Sequence, residues 1–216
     1  MKTVCGFGIN DLDYPVVERY MLDGKSRTKV ICPFYARWSS MLTRSYYSRY
    51  KANQPTYEKA FVNEEWKYVS AFKGWMEEQH WENMFMDKDI LFPFNKEYSS
   101  KTCAFVPRHI NNLLTARGNK RGLYPLGVYF EGGTKGLDFK SQLNCNETKI
   151  YLGRFADPFD GHKAWQEAKA NLIDNVVSDW YSSGCKSYRA DVADALIRRS
   201  WQLRLDLSQS KETIRF

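Results

Sequence analysis

The sequence predicts an α+β protein, on three observations. Short stretches in the C-terminal half alternate strictly between apolar and polar residues, a helix with strong start signals follows them directly, and bulky residues recur at helical spacing from residue 33. From the N-terminus, residues 1 to 30 combine extended segments such as GFGIND with a turn at Asp23-Gly24, which reads as a hairpin or an arm. From Pro33, the residues Phe34, Trp38, Met41 and Leu42 mark the buried stripe of a helix, with Arg37, Arg44, Arg49 and Lys51 on its other faces. A second helix is predicted over about 64 to 79, patterned by Trp66, Val69, Phe72, Lys73 and Met76.

Residues 86 to 114 carry a different signal. Asp87 and Asp89 flank Lys88, a turn rich in Pro and Asn leads to Tyr98, Ser99, Thr102 and Cys103, and the apolar run AFV enters a helix containing Asn111 and Asn112. This outline is a hairpin leading into a helix. Two readings stand beside each other here: the acids end a strand and bond to turn amides, with Asn95 a turn residue of positive φ, or they form a small polar site.

Farther on, a Gly127-Val128 strand precedes two more. Phe139, Ser141 and Leu143 alternate with Lys140, Gln142 and Asn144; Tyr151, Gly153 and Phe155 alternate with Ile150, Leu152 and Arg154. Asp157 then occupies the N-cap position of a helix, Pro158 its first position and Asp160 its first turn. Ala164, Ala168, Leu172 and Val176, broadened by Trp165 and Ile173, form the stripe expected to pack on the sheet. The product is a three-stranded sheet backed by one helix. A polar linker with Gly184 leads to a last helix whose predicted stripe is Ala190, Ala193, Leu196, Ile197 and Trp201, with Arg189, Arg198, Arg199 and Arg204 as its cations. That helix docks on the preceding domain, clamps a nucleic-acid backbone or self-associates with a second copy.

Composition narrows the classes. With 216 residues, 43% of them hydrophobic and 16% aromatic, the chain can bury one core or two small ones. The net charge of +7 is uneven: between 101 and 155, nine Lys or Arg face three Asp or Glu, a footprint for phosphate. No apolar run approaches the length of a membrane span, and no charged-then-apolar leader is present, so a cytoplasmic protein with no membrane partner is expected. Five scattered cysteines without C-x-x-C spacing and three histidines lead us to expect reduced thiols and no structural zinc.

Within this pattern two resemblances are carried by particular residues. The Gly-Val strand, the polar spacer, the strand opening on Phe139, the run YLGRF and the helix with A-x-x-x-A resemble, over about 122 to 178, the Apetala-type DNA-binding domain. In that family the sheet enters the major groove of double-stranded DNA. The resemblance implies that Tyr129, Lys140, Gln142, Asn144, Lys149, Tyr151 and Arg154 face DNA. Leu126, Tyr129 and Asn144 stand where the plant domains have Arg, so base preference does not carry over.

The fragments RWSSMLTRSY, PTY, VNEEW, FKGW and MDKDIL through YSSKTCAFVP are similar, in order and spacing, to HNH-like (ββα-metal) homing endonucleases of bacteriophages. Such modules often precede an Apetala-type domain. The resemblance implies a nuclease module over 1–115, the DNA-binding domain over 116–180 and a helical extension over 181–216. It further implies that Asp87, with Asn95 or Thr102, holds Mg²⁺ or another divalent cation. Lys88 stands where the family's water-activating His is usual, and would contact the scissile phosphate, with His109 a candidate to assist the water. The expected function is therefore that of a phage or mobile-element site-specific DNA-binding protein that nicks or cuts duplex DNA. The alternatives are a DNA-binding module, such as a repressor or interference factor, on a nuclease scaffold without cleavage, and a protein-binding inhibitor.

Overall fold

A computed structural model describes residues 3–114, 123–132, 136–145 and 148–215. The basic stretch around Arg117, Lys120 and Arg121 lies outside the described residues. Contacts divide the chain into two units, Met1–Phe105 and Val106–Phe216. The division falls before the predicted 115/116 boundary because the helix at 108–113 packs with the second unit: Ile110 and Leu113 are buried, and the buried Lys169 donates to the Leu113 carbonyl at 2.7 Å.

In the first unit, β1 (Val17–Leu22) and β2 (Lys25–Val30) form the expected antiparallel hairpin. Asp23 (φ 50°) and Gly24 (φ 69°) supply the two left-handed residues that a tight two-residue turn between right-twisted strands requires. Helix α1 (Pro33–Tyr46) begins where predicted, with Pro33 in its first turn and the Cys32 Sγ accepting from the Tyr35 amide. Its Trp38, Met41 and Leu42 are fully buried, and the Trp38 indole donates to the Trp66 carbonyl at 2.7 Å. A short α2 (Ser48–Asn53) follows.

The helix predicted over 64–79 is broken. A 3₁₀ turn spans Glu64–Trp66, and α3 covers only Val69–Glu77. The physical reason is Ile9: its amide donates to the Lys67 carbonyl at 2.8 Å and its carbonyl accepts from the Val69 amide at 3.1 Å, which holds Tyr68 extended at the helix start. Trp66, Phe72 and Met76 still enter the core as their spacing predicts, and Trp66 meets Phe72 edge to face at 5.1 Å.

The segment after α3 is not a tight hairpin. β4 (Phe85–Asp87) pairs with β6 (Ala104–Val106), but between them the chain forms β5 (Glu97–Tyr98), which joins β3 (Phe61–Val62) in parallel. Helix α4 (Arg108–Leu113) follows β6.

The second unit contains the predicted three-stranded antiparallel sheet, in the order β7 (Val128–Phe130), β8 (Phe139–Cys145), β9 (Thr148–Phe155). It is backed by α5 (Pro158–Ser182), whose N-cap Asp157 accepts from the Phe159 amide at 2.6 Å. The helix comes very close to the sheet. A Cβ on Gly161 would touch Phe155 and Val128 at 3.3 Å, and one on Gly127 (φ 82°) would fall 2.1 Å from the Trp165 ring. Ser141 Oγ donates to the Gly161 carbonyl at 2.7 Å.

Both predicted stripes are rotated. On α5 the buried line runs through His162, Trp165, Gln166, Lys169, Ile173, Val177 and Trp180, while Ala164, Ala168, Leu172 and Val176 lie half-buried beside it. On α6 (Ala190–Ser208) the buried line includes Val192, Ala193, Leu196, Arg199, Ser200, Leu203 and Asp206, whereas Trp201 is 71% exposed. Apolar periodicity missed both because polar residues sit in the packed line. They hold the chain after α6: Asp206 accepts from Thr213 Oγ1 at 2.8 Å, Gln166 donates to Thr213 Oγ1 at 2.9 Å, and the Thr213 amide donates to His162 Nε2 at 3.0 Å. Among the described residues no helix is long and apolar enough to cross a membrane.

Gly127 supplies the first test. Gly127→Ala forces both a left-handed backbone on a residue with a Cβ and an overlap with Trp165, so we expect a loss of about 2 kcal/mol or more. Chemical denaturation should show a lower midpoint with an unchanged slope; an unchanged midpoint would mean that α5 does not sit this close to the sheet.

Candidate nucleic-acid interface

The inner face of the sheet is fixed by what touches α5. Val128, Ser141 and Phe155 point at Gly161, and Leu143 is buried. Period-2 alternation then puts Tyr129, Lys140, Gln142 and Asn144 on the other face. On β9 the alternation is interrupted. Gln142 pairs with Tyr151 but Ser141 pairs with Gly153, so Leu152 is an extra residue, a β-bulge. Without it, Tyr151 would share a face with Gly153 and Phe155, as simple alternation predicted; with it, Lys149, Tyr151 and Arg154 all face outward. The cross-strand pairs Asn144 with Lys149, Gln142 with Tyr151 and Lys140 with both Arg154 and Tyr129 complete one surface. All seven residues singled out from the sequence are brought together on it.

The chemistry of this surface is mixed. Tyr129 and Tyr151 stand 47% and 59% exposed, Gln142 and Asn144 offer amides that match adenine's major-groove edge, and three cations flank them. One residue escaped the sequence reading. Glu131 accepts from the Lys140 ammonium at 3.1 Å and from the Arg154 guanidinium, and the Lys140 hydrogen bond, with both positive charges, holds its carboxyl below the usual range. Only the register reveals it: the Glu131 amide donates to the Asp138 carbonyl, which extends the ladder beyond β7 and places Glu131 two residues along from Tyr129.

The residues implied for catalysis are arranged differently. Asp87 ends β4, and its Oδ1 accepts from the amides of Asp89 (2.6 Å) and Ile90 (2.9 Å). Burial pushes its carboxyl above the ordinary range, against the pull of those two amides. Lys88 is buried at 5% exposure, donating to the Asp89 carboxylate and the Asn95 carbonyl, both at 2.6 Å, with its ammonium 5.9 and 5.8 Å from the ring centres of Tyr57 and Tyr98. Asn95 donates to the carbonyls of Lys88 and Glu97 and accepts from the Glu97 amide. The left-handed residue of this turn is its neighbour Phe94, at φ 63°. Thr102 Oγ1 donates to the Glu97 carbonyl and accepts from the Ser99 amide.

Asp87 Oδ1, Asn95 Oδ1 and Thr102 Oγ1 are thus each engaged by backbone amides of the same segment. Among the described residues no group of three or more His, Cys, Asp and Glu side chains could hold a metal ion. His109 belongs to the other unit, where it lines a small pocket with Asn112, Asn144, Cys145 and Leu172. The five cysteines are free thiols, with burial pushing Cys103 up to about 12. No protein-family profile, no curated protein and no solved structure matches the chain.

These bonds separate two roles for Asp87. Asn offers the same carbonyl oxygen to the two turn amides and carries no charge to desolvate, so Asp87→Asn should leave stability at neutral pH unchanged or slightly higher. Asp87→Ala should lose about 1–3 kcal/mol by stranding the amides. The sign of the shift agrees: a raised carboxyl pKa contributes stability at low pH that is lost as pH rises through the folded-state value, so at neutral pH the charge itself adds nothing. Thermal unfolding of the three proteins, with and without Mg²⁺, checks this; a Mg²⁺-dependent rise in the wild type that Asn removes would make Asp87 a ligand.

Proposed function

We propose that the chain is a site-specific DNA-binding protein of the phage HNH homing-endonuclease type. Its C-terminal sheet docks in the major groove of duplex DNA, and its N-terminal unit serves as a nuclease-derived scaffold that binds without cutting. The single observation that supports DNA binding best is the shared outward face of Tyr129, Lys140, Gln142, Asn144, Lys149, Tyr151 and Arg154. A three-stranded sheet fills the groove with side chains of alternate residues. Lys149 neutralises phosphate, which positions the sheet, and Gln142 and Asn144 discriminate bases by about 1–3 kcal/mol per good bidentate pair.

Cleavage is the second reading. It draws on the order β4, β6, α4 with an acid at the end of β4, the outline of a ββα-metal module. Against it stands the engagement of Lys88, Asn95 and Thr102 within their own turn. An ammonium already bonded to a carboxylate and a backbone carbonyl is not free to meet the scissile phosphate. The scaffold-only reading follows.

Two experiments test these readings on the full chain. In anisotropy titrations with duplexes selected from a random pool, Lys149→Ala should weaken binding to all sequences and lower the log-log salt slope by about 0.9. Gln142→Ala should instead flatten preference at one base position. Glu131→Gln releases Lys140 and Arg154 to phosphate, so it should raise affinity and steepen the slope; indifference of all three variants would remove the sheet as the interface. For cleavage, supercoiled plasmid incubated with the protein and Mg²⁺ or Mn²⁺ should stay supercoiled. Nicked product that Asp87→Asn abolishes would establish the nuclease instead.

A further inference from the structure

The hairpin β1–β2 is exposed at every strand position, on both faces. Burial therefore does not hold it together, since a lone two-stranded ribbon is marginal in water. It is held by its own ladder and turn, and by its base, where the amides of Ile31 and Cys32 donate to the carbonyl of the buried Val16. Such a segment has its chemistry on the outside.

The register assigns that chemistry to faces. Residues directly opposite in an antiparallel pair share a face, so Glu18, Tyr20 and Leu22 lie beside Lys29, Arg27 and Lys25. Lys25, Arg27 and Lys29 form one row on β2, spaced about 7 Å apart by the strand's two-residue repeat. Arg19 adds a fourth cation on the opposite face, against Glu18 and Asp23 as the hairpin's only acids. None of these four cations makes a salt bridge among the described residues. Next to the row stand Tyr20, at 44% exposure, and Leu22, at 49%.

We propose that this hairpin is a second DNA contact, separate from the β7–β9 sheet: a ribbon that lies in a groove of duplex DNA. Lys25, Arg27 and Lys29 run along the phosphates, and Tyr20 and Leu22 face the base edges. Like charges repeated along one strand repel one another in the free protein, and an anionic rail offsets that repulsion. A two-stranded ribbon is one of the two shapes that the major groove admits. The cation row also argues against a second copy as the occupant, because lysines and arginines on an edge oppose strand-to-strand pairing.

The test uses the full chain with Lys25, Arg27 and Lys29 all changed to Gln, compared with wild type and with Lys149→Ala, in anisotropy salt titrations on duplex DNA. Because the three side chains are exposed, the melting temperature should not move. The expected result is a salt slope lower by roughly 2 to 3, from about 0.9 per phosphate contact, with roughly ten-fold or greater loss of affinity near physiological salt. If the triple variant keeps the wild-type slope while Lys149→Ala lowers it, the hairpin proposal falls and the sheet reading stands. If the triple variant lowers the slope and Lys149→Ala does not, the hairpin stands and the sheet reading falls. A wild type that binds no duplex at any salt overturns both. A self-association seen by sedimentation and lost in the triple variant, with the DNA slope unchanged, makes a second copy the occupant and overturns the proposal.

Discussion

The approach of α5 to the sheet at Gly127 and Gly161 is the constraint on which the second unit turns. A side chain at either position would meet Trp165, or Val128 and Phe155, so the two glycines let helix and sheet backbones come within the reach of one Ser141–Gly161 hydrogen bond. That contact decides which face of each strand is inside. Everything on the outer face follows by alternation, including the side chains that would meet DNA. The bulge at Leu152 is the one local departure, and it matters because it brings Tyr151 and Arg154 to the same side. A strand without it would turn one of them into the core, where an arginine would need a buried partner.

Both units contain polar groups in packed surroundings, and in both they act on the backbone. In the second, Asp206, Gln166, Thr213 and His162 hold the chain after α6. His162 is stacked on Trp165 and accepts the Thr213 amide through Nε2, so its other nitrogen, 2.9 Å from the Leu126 carbonyl, carries the proton. One imidazole thereby joins the segment preceding β7 to the C-terminal segment. Among the described residues Gln166 Oε1 lacks a partner, but the remaining bonds still favour a single arrangement, because any slip strands several groups together.

How much of this was legible in the sequence depended on whether a local signal or a distant partner decided the outcome. The Asp23-Gly24 turn, the Cys32-Pro33 and Asp157-Pro158 helix starts and the three strands of the sheet are set by residues a few positions apart, and they form where predicted. The break at Tyr68 was not legible, since it depends on Ile9, far away in sequence. The rotated stripes of α5 and α6 were hidden for a related reason: Lys169 and Gln166 are buried where the carbonyls of Leu113 and Lys211 accept from them, and Asp206 where Thr213 donates to it. At the candidate sites, residue types were legible but occupancy was not. Nothing local shows that Asn95 and Thr102 both spend their side chains on the backbone of Glu97.

Lys88 explains why the two halves of the chain point to different kinds of chemistry. A buried ammonium is tolerated only with a carboxylate and further acceptors around it, and here Asp89, the Asn95 carbonyl and two tyrosine rings provide them. A residue so placed fixes the turn between β4 and β5, and an imidazole there would be too short to reach both acceptors. Lys88 thereby shapes the local architecture: its ammonium on the Asn95 carbonyl and the Asn95 amide on the Lys88 carbonyl close the turn on itself. Lys25, Arg27 and Lys29 on β2 and Lys149 on the outer sheet face are exposed, where they can exchange a hydration shell for phosphate at little desolvation cost, whereas Lys140 and Arg154 are held by Glu131. Buried and exposed lysines thus divide: Lys88 closes its own turn, while those on the surface strands remain available to an anionic partner, as the proposed DNA contacts require.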